Sequence, residues 1–93
     1  MIIENPQNYK LSKFIKANDN KHKYFAILIN KETKKEKKVP FGAIGYEQYK
    51  DKIGSYSSSN HLDKKRRDAY RARHAGENNN KFSSGYFSWT YLW

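Results

Sequence analysis

The stretch that most constrains this chain is "FSSGYFSWTYLW", residues 82–93, which carries Phe82, Tyr86, Phe87, Trp89, Tyr91 and Trp93 and no charged side chain. Left in water such a segment aggregates, so it must pack on its own domain or on a partner. The rest is far more polar: Lys and Arg number 19 against 9 Asp and Glu, a formal net charge of +10. Chains of that kind often bury too little apolar surface to fold, but aromatics make up 16% of these 93 residues and each can bury a large area. One small domain is expected, with an aromatic core and basic edges.

The clearest strand is "KYFAILIN", residues 23–30, rich in aromatic and β-branched residues and bounded by polar clusters. A polar turn near residues 30–34 leads into Lys35, Lys37, Val39 and Phe41 on a second strand, which Pro40 places at an edge or brings to an end. Upstream, Asn5-Pro6 reads as a turn. Tyr9, Leu11, Lys13 and Ile15 then alternate as one face of a strand, while Leu11, Phe14 and Ile15 equally suit a helical turn. Residues 1–21 thus form an N-terminal arm or edge strand, and residues 22–93 a single small domain. Gly42 and Gly45 mark a change of direction, and "YEQYKDK", residues 46–52, is expected to form a short helix. After a Ser-rich loop, Asn60 or Asp63 as cap and Gly76 as stop bracket a basic helix of about three turns. The fold class is α+β: an antiparallel hairpin or three-stranded meander packed with one basic helix and an aromatic C-terminal segment.

There is no cysteine, hence no disulfide or thiolate metal site. No apolar run approaches the roughly 18 residues of a membrane span, and "MII" followed by Glu4 lacks the regions of a signal peptide. The positive balance points to an acidic partner.

Three signatures line up along the chain: "VPFGAIGYEQY" (residues 39–49), "HLDKKRRDAYRARH" followed by Glu77, and "SSGYFSWTYLW" (residues 83–93). The positions that stand out are Phe41, Gly42, Tyr46, Tyr49, His61, Asp63, Arg66, Tyr70, Arg73, His74, Gly85, Ser88, Leu92 and Trp93. Together they resemble a family of small uncharacterised proteins of large double-stranded DNA viruses, over roughly residues 22–93. The family's middle section is usually shorter than the Ser-rich loop here, and its acidic residue is more often followed closely by Trp, absent after Glu77. The resemblance implies a viral setting, in a virion or an infected cell's cytoplasm or nucleus, and supplies no mechanism.

Projected at about 100° per residue, Asp63, Arg66, Arg67, Tyr70, Arg73, His74 and Glu77 fall within about a third of the basic helix's circumference. Arg66, Arg73 and Arg67 on that face could hold phosphates, with Tyr70 stacking or hydrogen bonding. Alternatively Arg66 and Arg73 lie under the aromatic tail, stacked on Trp89 or Trp93 and paired with Asp63 and Glu77. The second arrangement is expected, because six aromatics need a platform and guanidinium planes with long stems provide one. Asp63, Arg66, Tyr70, Arg73, His74, Trp89 and Trp93 then form a structural face. Lys34, Lys35, Lys37, Lys38, Lys64, Lys65, Arg67 and Arg71 remain as the nucleic-acid footprint.

Other chemistry is weaker. His61, Asp63, His74 and Glu77 could be drawn as a zinc or manganese site, but adjacent arginines oppose a cation. A nuclease would lack paired carboxylates for metal. The glycines of "FGAIGY" lack the Lys-Ser/Thr ending of a phosphate-binding loop, so no cofactor is implied. Tyr24, Phe25 and Phe41 could stack bases but are more often core in a small protein. The expected role is non-enzymatic: a virus-encoded basic protein holding nucleic acid, DNA foremost, through backbone phosphates without reading sequence. The alternative is a minor capsid or cement protein, its lysines on acidic shell patches and its tail between subunits.

Overall fold

Strand propensity peaks at residues 23–30, and there the computed structural model, which describes residues 3–93, has its central strand. Strands β1 (Tyr9–Lys16), β2 (His22–Asn30) and β3 (Glu36–Ala43) form an antiparallel meander in the order β1-β2-β3, so residues 9–16 are an edge strand of the sheet. Two side chains close its turns. The Asp19 carboxylate accepts from the backbone N–H groups of Lys21 and His22, and Asn30 Oδ1 from those of Glu32 and Thr33. The second turn falls where the polar cluster predicts it, with Lys34 at φ 64°.

Alternation fails in β1 for a local reason. The register shifts between Leu11 and Lys13, opposite Leu28 and Ile27. This bulge reverses the facing of the residues beyond it, so Tyr9, Leu11 and Phe14 turn to the core while Lys13 and Ile15 point away. The three-residue spacing of Leu11 and Phe14, which also suits a helix, is the trace of that extra residue. The core face of β2 and β3 carries Tyr24, Ala26, Leu28, Val39 and Phe41, all buried.

Two helices complete the fold, α1 (Lys64–Arg73) and α2 (Ser84–Tyr91). Asp63 caps α1, accepting from the N–H groups of Lys65 and Arg66, and no residue of α1 is buried. The aromatic segment becomes α2, although Tyr, Phe, Trp and Thr are indifferent helix formers. Its start is set by the Ser83 hydroxyl, which accepts from Tyr86 N–H. Its stability comes from packing. Phe87 is fully buried, with ring centroids 5.8 Å from Phe14, 5.4 Å from Phe41 and 5.9 Å from Phe82. The aromatic tail thus packs on its own sheet and closes the core.

Residues 46–52 are not helical, contrary to expectation. Their backbone donors go elsewhere: Lys50 N–H to Leu92 O and Lys52 N–H to Tyr91 O, both at 3.0 Å. Gln48 and Asp51 are buried and act as internal ties. Asp51 accepts from the Tyr24 hydroxyl and from the N–H groups of Ile53, Gly54 and Tyr56. Gln48 Nε2 donates to Tyr56 O and Asn60 Oδ1. An extended loop so fully bonded to the sheet and to the end of α2 gains nothing from coiling. Among the described residues no helix is long and apolar enough to cross a membrane.

Gly42, at φ 74°, lies directly beneath Leu92, where an added Cβ would sit 2.9 Å from Leu92 Cδ1. Phe87→Ala should therefore cost about 3–5 kcal/mol, and Gly42→Ala about 1–3 kcal/mol by displacing Leu92. Urea unfolding monitored by circular dichroism checks both, and truncation before Phe87 should leave an unfolded chain.

Candidate anion-binding cleft

Helix α1 is mounted through side chains at positions 67, 70, 71 and 74, a seam roughly 100° wide. Tyr70 is sandwiched, its ring 4.2 Å from His74 and 4.2 Å from Trp93 with the latter planes 2° apart. Trp93 leans on His61 at 5.2 Å, and His61 on Tyr49 at 6.2 Å. The Arg67 guanidinium lies 4.9 Å over Tyr49, while Arg71 lies 5.4 Å over Trp89 and donates from Nη2 to Trp93 O at 2.9 Å.

This seam corrects the expected division of arginines. Arg67 and Arg71, assigned to an outside partner, are the two that stack on aromatics. Arg66 and Arg73, assigned to the tail, are exposed: Arg66 pairs with Glu47 at 3.2 Å rather than with Asp63, and Arg73 has no ion-pair partner among the described residues. The reason is angular. Taking Arg67 as zero, Tyr70, Arg71 and His74 fall close to either side, whereas Arg66 and Arg73 lie about 100–120° away. Tyr70 meets Trp93, as expected, while Glu77 is taken by His74 rather than by an arginine, through Nδ1 to Oε2 at 2.9 Å.

The side of α1 that bears Arg66 and Arg73 forms one wall of an open cleft of about 580 Å3. The ends of β2 and β3, the loop at residues 46–48 and the start of α2 supply the others. Of the fourteen positions singled out in the three sequence signatures, all but Tyr49, His61 and Asp63 line it. Those three support its wall, Asp63 as the α1 cap and the two rings behind Trp93. Lys21, Lys23, Arg66 and Arg73 face Glu47 and Glu77, an excess of positive groups. Lys23 is buried, and its Nζ donates to Tyr46 O at 2.6 Å and to Gln48 Oε1. Burial lowers its pKa, against the opposing pull of the Asp51 charge. The Tyr70 hydroxyl is pushed up to about 12 by burial first and the Glu77 charge second, so it stays protonated. Glu77 has a packing role as well, since a Cβ on Gly85 would lie 2.9 Å from its own Cβ.

The remaining sequence candidates disperse. Lys64 and Lys65 are exposed on the first turn of α1. Lys34 and Lys35 are exposed at the β2–β3 turn, Lys37 is half-buried, and Lys38 is exposed on the outer sheet face, 5.6 Å from the Phe25 ring. That turn lies at the Asn30 end of β2 and the cleft at its His22 end, roughly 26 Å apart along the strand. Tyr24 and Phe41 are core. His61, Asp63, His74 and Glu77 do not gather, and among the described residues no group of three His, Asp or Glu could hold a metal ion. Sequence reasoning missed Lys21, Lys23, Tyr46 and Ser84 as cleft residues. Only Tyr46 carried a signal, through its place in the first signature.

No protein-family model, no curated protein and no solved structure matches this chain, so the cleft is read from its own chemistry.

His61 makes the mounting of α1 sensitive to pH. Its Nδ1 accepts from Asp63 N–H at 2.9 Å, which requires an unprotonated Nδ1, and its buried Nε2 has no partner. Burial first, and the Arg66 charge second, lower its pKa below the ordinary histidine value. The unfolded chain therefore takes up this proton first, and stability falls as pH drops below about 6.5. Melting temperature should fall between about pH 7.5 and about pH 5, and His61→Phe should show a smaller fall. An equal fall in both proteins would remove His61 as the source.

Proposed function

We propose that this chain is a non-enzymatic nucleic-acid-binding protein that holds backbone phosphates without reading sequence. The observation that carries this is the set of cations the fold leaves exposed on α1: Arg66 and Arg73 on the wall of a cleft with excess positive charge, and Lys64 and Lys65 elsewhere on its first turn, in a chain of net charge +10. Cations presented this way meet phosphates by releasing counterions, a contact that needs no base edge. The turn lysines Lys34 and Lys35 form a second, distant patch suited to an adjoining stretch of the same strand or duplex. In the viral setting that the resemblance implies, the role is that of a genome-associated component, packaged in the virion or acting in the infected cell. The capsid or cement reading drew on a tail free to insert between subunits; with Phe87 and Leu92 buried in the core, that support falls away.

Filter binding of duplex DNA, single-stranded DNA and RNA across a salt series tests the reading. Affinity should fall steeply between about 50 mM and about 200 mM salt. Lys64→Glu with Lys65→Glu should weaken binding at least about tenfold at low salt and flatten the slope of log affinity against log salt by about two. Binding of all three nucleic acids that ignores both salt and this double change would sink it.

A further inference from the structure

We propose that the cleft seats one nucleoside phosphate unit, with the phosphate on Arg66 and Arg73 and the base against Tyr46. This deepens the nucleic-acid reading and rests on it for the physiological source of the ligand. Three observations converge. The first is size: about 580 Å3, open to solvent, falls within the range of small-molecule sites.

The second is the pair of arginines. Arg73 has no carboxylate partner among the described residues, and Arg66 holds only Glu47 in a pair whose side chains are 49% and 56% exposed. An exposed pair of that kind is weak, and a phosphate presenting two oxygens to the guanidinium competes with it readily. The other lining carboxylate, Glu77, is turned to His74 Nδ1 at 2.9 Å and lies against Gly85, so it is already engaged. Ser84, from the start of α2, lines another wall of the cleft.

The third is Tyr46. It is 72% exposed, the most exposed large apolar side chain described, yet it belongs to the cleft lining. Its backbone is not loose: Lys23 Nζ donates to the Tyr46 carbonyl at 2.6 Å, and the neighbouring Gln48 is buried and fully bonded. A ring held on a braced backbone at the mouth of a cationic cleft is a stacking surface prepared in advance. Glu47 follows Tyr46 directly and reaches Arg66, and all three line the cleft. Of the other aromatics of the cleft, Phe41 is buried in the core and Tyr70 has both faces covered by His74 and Trp93. A base inside a duplex cannot reach Tyr46, so the unit must be a free nucleotide or part of a single strand.

Titration of the full chain with adenosine monophosphate, adenosine, inorganic phosphate, a short single-stranded oligothymidylate and a duplex, read by calorimetry and amide NMR shifts, tests this. Adenosine monophosphate should bind more tightly than either adenosine or phosphate, with shifts at Tyr46, Arg66 and Arg73. Tyr46→Ala should weaken the nucleotide and the single strand about five- to hundredfold and leave duplex and phosphate affinity unchanged. Arg66→Gln with Arg73→Gln should weaken nucleotide, strand and phosphate alike, with an unchanged melting curve as the check on folding. Adenosine monophosphate equal to the strand marks a free nucleotide as the ligand; a much tighter strand marks a nucleic-acid source, and both support the seat. Strand binding indifferent to both variants would overturn the cleft, as would Tyr46→Ala acting equally on duplex and strand. Duplex binding that responds only to Lys64→Glu with Lys65→Glu would leave the broader reading standing alone. Nucleotide binding in a protein that retains no nucleic acid would do the reverse.

Discussion

The burial of Phe87 among Phe14, Phe41 and Phe82 is the contact on which the rest of the molecule depends. It joins an edge strand, the opposite edge strand and the final helix in one aromatic cluster, and aromatic pairs contribute roughly 0.5–1.5 kcal/mol beyond the area they bury. In so polar a chain there is little else to set against the entropy of folding. Once α2 is seated, Leu92 drops over Gly42 and brings Trp93 to the surface, where it becomes the platform for Tyr70. Helix α1, with no buried residue of its own, takes its position from that ring. The cleft between α1 and the sheet is thus a consequence of how the last residues pack.

Positive charge is divided accordingly. Arg67 and Arg71 lie on Tyr49 and Trp89, a use that suits a planar, weakly hydrated guanidinium and not an ammonium. The lysines of α1 stay in water. The charge left for a partner is therefore smaller than the formal total suggests, and two of its concentrations lie apart, one around α1 and the cleft and one at the β2–β3 turn. With roughly 26 Å between cleft and turn along β2, far beyond a Debye length, the two are electrostatically independent.

The loop at residues 46–61 carries the third share of the design. It has almost no regular structure, yet Lys23, Gln48, Asn60, Asp51 and Tyr24 bond one another and the loop backbone in a continuous chain. Burial works to raise the Asp51 pKa, and hydrogen bonds from Tyr24 and three backbone N–H groups overcome it, so the carboxylate stays ionised well into acid. A buried polar network of this kind holds its geometry because each member is satisfied. It explains how Tyr46 can be both exposed and fixed.

Composition and local pattern alone determined that the aromatic segment must be buried, that residues 23–30 form the best strand, that a hairpin turn follows Asn30, and that Asn60 or Asp63 opens a basic helix. Each rests on residues adjacent in sequence: alternating side chains, a capping carboxylate, an uncharged apolar run. The tertiary structure decided the rest. The β1 bulge moved Phe14 inward and Ile15 outward, which a period-two reading cannot foresee. The carbonyls of Tyr91 and Leu92 drew residues 50 and 52 out of a helix, a competition invisible until the two segments meet. Which arginines serve the fold turned on where Trp89, Trp93 and Tyr49 stand around α1, and a rotation of about 100° separates a stacked guanidinium from a free one. Spacing could show that the basic helix has two sides; only the packing of the final residues could say which of them faces water.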